Sequence, residues 1–558
     1  MSIANKTEHE KIADLLYPNN KLTVEEIEKM YPKRDLAPGQ VVSRYAPSPT
    51  GFMHVGNFFQ MFIAYNLVRV TDGVMFLRVE DTDSKREKKE ALGVIYEILR
   101  KFGIKFNEYQ TLDGVDIGAY GPYVQSKRTE IYKAYAKKLV QEGKAFPCFC
   151  KKTEGIEEIK AERAIKFAKD DEKEYDPCRN LSFDEVKAHI DAGDSFAIRL
   201  KTKNDGTQRI KFNDLIKGEI ESNANAKDFI LVKSDGIPPY AFAHAIDDTL
   251  MGTTIVVRGE EYISSVPAHL ELFDALGFKR PIYCHNPLIC KIDEEGNRRK
   301  ISKRRDPEAD MRFYFEQGIP TEAVCEYLLN IINSGFETWR AQNPTLPWTD
   351  FKFSVNDITA VAPIFDLVKL NDVSKNFISR LTTDEVFNRA LAWADEYDKD
   401  FAKVLRNNEA TARAVFSIER GTERPRKDIS KFSDIKNIYS YMFDETAKTA
   451  KWSDFGEKID QKTIKTFISA YLDAYNHADT KDEWFARVKE VAKSCGFGDN
   501  KEYKANPTAF KGNIGDACAI LRVALTCSNT TPDLYTIMQI LGEPRIRTRL
   551  SRLLNNKN

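Results

Sequence analysis

The sequence predicts a multidomain α/β protein whose C-terminal part is all-α. Three observations carry that reading. Strand-like and helix-like segments alternate from residue 41 to about 122; the alternation breaks off and resumes over 238–290; and from about residue 386 the chain is mostly amphipathic helix with basic connectors. Alternation of this kind marks βαβ units and a parallel sheet. A break followed by resumption reads as an insertion carried on that sheet domain, and 558 residues suffice for several separate cores.

Taken in order, residues 1–40 form a short helical extension, since the segment LTVEEIEKM at 22–30 combines a capping pattern with an amphipathic turn. Val41 and Val42 begin a strand, residues 43–57 a turn rich in Pro and Gly, and Phe58 to Val70 a helix. Residues 74–80 are a buried-type strand and 91–102 have helical spacing. The insertion, 123–237, carries a helix at 128–141, a Cys-bearing turn, a highly charged helix at 151–173, and short strands near 196–200 and 207–212. Alternation resumes with DFILVK from Asp228; the sheet domain is therefore expected over 41–122 and 238–290, a connecting region over 291–385, and a helical domain over 386–558.

Composition narrows the class. Hydrophobic residues make up 42% and charged residues 30%, with 84 basic and 84 acidic side chains in balance. No run of eighteen apolar residues suggests a membrane span, and the first residues lack the basic-then-apolar layout of a secretory signal. Nine scattered cysteines point to reduced thiols and a cytoplasmic location rather than to a disulfide framework. Zero net charge neither supports nor excludes nucleic acid, which needs only a clustered basic surface.

The densest chemistry lies in RYAPSPTGFMHVGN at 44–57. A strand, a stiff turn and a helix N-terminus make a phosphate site. Gly51 and Gly56 let the backbone approach a ligand, and His54 stands where the helix dipole is positive. Far downstream, KISKR at 300–304 follows a polar turn; two lysines on a mobile loop can neutralise charge growing on a leaving group. VEDTD at 79–83 ends a buried-type strand, where Glu80 can hold an amino group while Asp83 or Ser84 caps the next helix. No P-loop or Gly-x-Ser-x-Gly element appears, which fits chemistry carried by positioning and electrostatics.

Residues 44–57 resemble the signature of class I aminoacyl-tRNA synthetases in the form of the glutamyl enzymes, whose R-x-A-P-S-P-T-G leads into H-[IV]-G-x; the class-wide second His is Asn57 here, a departure glutamyl enzymes often share. KISKR is similar to their mobile K-[IL]-S-K-R loop, EDTD at 80–83 to their I-E-D-T-D run, and LRVALT at 521–526 with LG at 541–542 to their closing motifs. The resemblance runs from about residue 41 to the end and implies a Rossmann-type catalytic domain, an inserted domain for the tRNA acceptor end, and a helical anticodon-binding domain. It also implies ATP-dependent ligation of L-glutamate to tRNA(Glu) through glutamyl-adenylate, with tRNA(Gln) left open as a second partner, Mg2+ accompanying ATP, and a monomer.

Carried over residue by residue, the resemblance assigns His54, Lys300 and Lys303 to catalysis, and His54, Gly56, Asn57, Glu261 and Lys303 to ATP. It assigns Arg44, Ala46, Ser48, Glu80, Tyr240 and Arg258 to glutamate; Arg suits a carboxylate through its two-pronged hydrogen bonding. Where the family usually has Asn or Val, His244 stands here, read as a neutral hydrogen-bonding substitute. Cys148, Cys150 and Cys178 are potential zinc ligands, with Tyr175 nearby and three plain thiols as the other reading; no metal ligand is assigned. The basic connector ERGTERPRK at 419–427 offers Arg420, Arg424, Arg426 and Lys427 to tRNA phosphates. The rivals are a glutaminyl enzyme, disfavoured by EDTD; a shortened relative that glutamylates a tRNA base, disfavoured by the long helical C-terminal part; and an inactive tRNA-binding paralogue, disfavoured by His54, Lys300 and Lys303.

Overall fold

The structure, a computed structural model, describes residues 6–49, 53–82, 89–150 and 177–555. Gly51, Asp83, Ser84, the charged stretch 151–173 and Tyr175 lie outside the described residues. The chain divides into two compact units, Met1–Met311 with Leu328–Phe365, and Arg312–Tyr327 with Asp366–Asn558.

In the first unit, helices α1 (Glu8–Leu16) and α2 (Val24–Met30) each begin in a capping box, Thr7 with Glu10 and Thr23 with Glu26. Strand β1 (Val42–Tyr45), helix α3 (Val55–Val70) and strand β2 (Val74–Leu77) form a βαβ unit in which β1 and β2 pair in parallel from Val42↔Val74 to Tyr45↔Leu77. Helix α3 starts three residues earlier than its apolar spacing predicts, because His54 caps it: Nδ1 accepts from the Gly56 amide at 3.0 Å. Helix α4 (Lys89–Lys101) and a two-rung hairpin, β3 (Tyr109–Gln110) with β4 (Asp116–Ile117), follow.

The next stretch holds α5 (Thr129–Gln141), β5 (Ala145–Cys148), α6 (Phe183–Asp191), β6 (Ala197–Leu200), β7 (Arg209–Asp214), β8 (Gly218–Asn223) and β9 (Ile230–Val232). Strands β5, β6 and β9 make an antiparallel sheet. The β7–β8 hairpin, which the sequence suggested belongs with the insertion, instead adds to β10 (Ile255–Gly259) and β11 (Ile282–Asn286) in the order β10-β11-β7-β8. Helices α7 (Tyr240–Leu250) and α8 (Val266–Leu276) flank β10 in the chain, and the hairpin β12 (Cys290–Ile292) with β13 (Arg298–Lys300) leads into the KISKR loop.

Strand β1 lies beside β10 through side chains more than through a backbone ladder. The Thr254 amide donates to the Val42 carbonyl at 2.9 Å; beyond it, Ser43 Oγ donates to the Ile255 carbonyl and Arg44 Nη1 to the Val257 carbonyl. The parallel layer is thus opened at its middle, on the carboxyl side of the strands, where ligands of such sheets bind.

Residues 6–40 brace this layer. Arg34 grips Glu108 with two 2.7 Å bonds and donates from Nε to the Met251 carbonyl, while the Tyr31 hydroxyl donates to the Gly121 carbonyl and accepts from Arg128. The second unit is helical, with Leu367–Arg380, Thr383–Tyr397, Gln461–Ala474, Lys481–Ser494, Ile514–Thr526 and Glu543–Asn555 contributing to one apolar core. No helix among the described residues is long and apolar enough to cross a membrane.

Candidate active site

The site grows from the carboxyl ends of β1, β2 and β10. Arg44, on β1, is buried and meets Asp248 of α7, Nε lying 3.1 Å from both carboxylate oxygens. Arg78, one residue past β2, donates to Asp248 at 2.6 Å and to Glu80 at 3.1 Å, with Asp247 at 3.8 Å. Asp247 accepts in turn from Arg128, Gln125 and Tyr132. Buried ions of this density persist only when each finds a partner. Burial works against the charge of Asp248, but Arg44 and Arg78 hold its carboxyl well below the usual carboxylate range. Glu80 goes the other way: burial raises its carboxyl, against the pull of Arg78 and Arg44. A half-buried carboxylate in that state gains when an ammonium group arrives.

Arg258, at the end of β10, is 1% exposed and has no carboxylate within ion-pair distance among the described residues. Its neighbours are neutral. Nε donates to His285 Nε2 at 3.0 Å; Nη1 lies 3.1 Å from His269 Nδ1 and 3.4 Å from the Tyr240 hydroxyl; the guanidinium sits over the Tyr283 and Tyr262 rings. His285 holds Asp214 at 2.7 Å through Nδ1, so it presents a lone pair to Arg258. Nη2 of Arg258 is buried without a partner. Tyr262 closes the same group: its hydroxyl is pushed up to about 12, by burial first and then by Tyr240, Glu80 and Glu261.

On the other side of α3's start lies the KISKR loop. His54 bridges to Asp310, and the Met311 amide donates to the Met53 carbonyl. Burial lowers the His54 imidazole, Lys303 and Lys300 lower it further, and a backbone hydrogen bond with Ile301 resists them. His54 is therefore neutral at pH 7, capping α3 through Nδ1 while its ring N–H faces the Ile301 backbone. Ile301 is buried; Lys300 and Lys303 are exposed. Asp306 staples the loop, accepting two 2.7 Å bonds from Arg299 and one from the Ser302 amide; those bonds, with Lys291, hold its carboxyl far below the ordinary range.

The structure thus brings Arg44, Glu80, Tyr240 and Arg258 together around one opening, with half-buried Ala46 and exposed Ser48 just past β1. It gathers His54, Gly56, exposed Asn57, Lys300 and Lys303 at the start of α3. Glu261 folds over Gly259, where a Cβ would meet its carboxylate at 2.1 Å. Sequence reasoning missed Arg78, Asp248, His269, His285 and Asp214. In the second unit, Arg420 donates to the Phe416, Ile378 and Leu381 carbonyls and Arg426 faces Asp428 and Glu419, so both are occupied within the protein; Arg424 and Lys427 are exposed. The Sγ atoms of Cys148, Cys150 and Cys178 lie within 4.8 Å of one another.

Comparison with known proteins agrees with this layout. Residues 40–339 match the family model for tRNA synthetases class I (E and Q), catalytic domain, and residues 387–554 match an anticodon binding domain. A glutamate–tRNA ligase from Clostridium perfringens (strain SM101) is 42% identical over 98% of this chain and 99% of its own length, and one from Acetivibrio thermocellus is 40% identical over 98% and 100%. The crystal structure of a glutamate tRNA ligase from Elizabethkingia meningosepticum, in complex with its amino acid, shares the fold at a TM-score of 0.72 and 24% identity, covering 93% of this chain and all of that one. The chain belongs to the glutamate–tRNA ligase family of the class I tRNA synthetases.

Proposed function

We propose that the chain joins L-glutamate to the terminal ribose of tRNA(Glu) in two steps, forming glutamyl-adenylate from Mg·ATP with release of pyrophosphate and then transferring the glutamyl group with release of AMP. The observation that carries this reading is Arg258, a buried guanidinium with an unpartnered Nη2 and, among the described residues, no carboxylate of its own. Burying such a group is costly, and an anionic ligand relieves it. The amino acid's side-chain carboxylate supplies the missing charge, with Arg44 and the Tyr240 hydroxyl alongside, and Glu80 takes the α-ammonium.

ATP lies against the start of α3. The neutral His54 faces its phosphates beside the Gly56 and Asn57 amides, Glu261 borders the nucleotide, and Lys303, assisted by Lys300, neutralises the charge growing on pyrophosphate. Arg424 and Lys427 contact tRNA phosphates. Cys148, Cys150 and Cys178 offer three thiolates to a structural zinc; tetrahedral Zn–S bonds of about 2.3 Å set sulfurs roughly 3.8 Å apart, and Cys150 and Cys178 stand at 3.7 Å. Metal analysis of the purified protein checks that site. The enzyme acts as a cytoplasmic monomer.

ATP–pyrophosphate exchange with tRNA present is the test. Exchange that requires glutamate is expected, and its absence would overturn the proposal. Aminoacylation of separate glutamate and glutamine tRNA transcripts shows whether tRNA(Gln) is a second substrate.

A further inference from the structure

A second unpartnered atom shares the surroundings of Arg258 Nη2: Nε2 of His244, fully buried on α7. The two groups have common neighbours. The His244 ring stacks on Tyr240 at 5.2 Å and 5°, and sits 5.4 Å from the His269 ring; Tyr240 and His269 are also the partners of Arg258 Nη1. The remaining groups that face His244 are Asp248 from its own helix, Arg44 from β1, and Phe273 from α8.

Their protonation states follow from their partners. Asp248 is ionised between Arg44 and Arg78, so the 2.5 Å contact has His244 Nδ1–H donating to it. That leaves Nε2 as a bare acceptor. Burial and the two arginines keep the ring neutral, its value lowered to about 4 despite Asp248. His269 accepts from Arg258 and stays neutral as well, lowered by burial. Among the described residues, this corner of the site holds an unpartnered donor, Arg258 Nη2, and an unpartnered acceptor, His244 Nε2.

A carboxylate does not fit that pair, because its oxygen meets the Nε2 lone pair with its own. We propose that His244 reads the end of the substrate side chain by taking up a proton at Nε2 as glutamate enters, so that the choice of glutamate over glutamine depends on pH. The incoming negative charge offsets Arg258 and Arg44, which opposed protonation, and the new imidazolium bridges Asp248 on one side and the ligand on the other. Glutamine needs no proton: its carbonyl accepts from Arg258 Nη2 and its amide N–H donates to the bare Nε2. The inference rests on the glutamate site proposed above.

Calorimetric titration of glutamate into the full-length protein at pH 6.5, in buffers of different ionisation enthalpy, counts the protons taken up. Wild type is expected to take up about one proton more than H244N, a difference in which the contributions of Glu80 and His54 cancel. Glutamine is expected to bind without uptake. The ratio of glutamine to glutamate dissociation constants is expected to fall with rising pH, by up to about tenfold per unit, and to be flat in H244N. Equal proton counts in the two proteins, or glutamate binding to wild type with no uptake, would overturn the inference while leaving the glutamate site intact. Absence of glutamate binding at every pH would remove the site itself.

Discussion

At the scale of single residues, stability and function pull apart at Arg258. Its guanidinium is buried among neutral partners, so replacing it with an apolar chain of similar length removes an uncompensated charge. R258M is expected to lose about 3 kcal/mol of transition-state binding, more than a hundredfold in kcat/KM for glutamate, while its melting temperature stays level or rises. Exchange kinetics and thermal unfolding on the same preparation check both halves. His54 is separable in another way, since it both caps α3 and faces the loop. Asn is a good cap and Ala is not, so H54A is expected to lose about 1 kcal/mol of stability that H54N keeps. Both variants should lose exchange activity by about a hundredfold.

At the scale of elements, the KISKR loop depends on one carboxylate. Asp306 ties Arg299 and the Ser302 amide together, and D306N is expected to raise KM for ATP and lower kcat by about tenfold without touching glutamate binding. The pH sign follows from its depressed value. A carboxyl held low in the fold contributes stability fully present above its ordinary value of 3.8 and lost as pH falls through the folded one, so the stability gap between wild type and D306N should close on acidification. Elements also explain what was legible in advance. The turn at 44–57, the helix after it and the capping box at Thr23 announce themselves within a few residues, and the alternation of strand and helix predicts the fold class found here. Arg78, Asp248, His285 and Asp214 do not. Each is defined by a buried partner far along the chain, 170 residues away for Arg78 and Asp248 and 71 for His285 and Asp214. Nothing local to a buried aspartate on a helix says that two arginines from other elements will converge on it. The partners of Arg420 were hidden for the same reason: a basic connector reads as solvated until the carbonyls it caps are in place.

At the scale of the whole molecule, balanced charge means that tRNA is held by local basic groups against no general attraction. R424Q/K427Q is expected to weaken tRNA binding across salt concentrations and to flatten the dependence of log K on log salt by about 1.5, two contacts' worth. Filter binding between low and moderate salt measures it, and an unchanged slope would remove the two residues from the interface.

The brace formed by residues 6–40 has a consequence for how the protein is made. Arg34 closes on the carbonyl of Met251, 217 residues later, and Tyr31 on Arg128, which leads through Asp247 and Arg78 to Glu80. Helices α1 and α2 pack chiefly against α5, so their apolar cover is made well before Met251, and the Arg34 clamp is completed only when Met251 follows. At roughly 5–20 residues per second the wait is about ten to forty seconds. Ile12, Leu16 and Ile27, all buried in the finished fold, need only α5 to cover them and so wait for less of that interval. The segment is therefore covered in two stages during synthesis, its apolar face first and its polar clamp last.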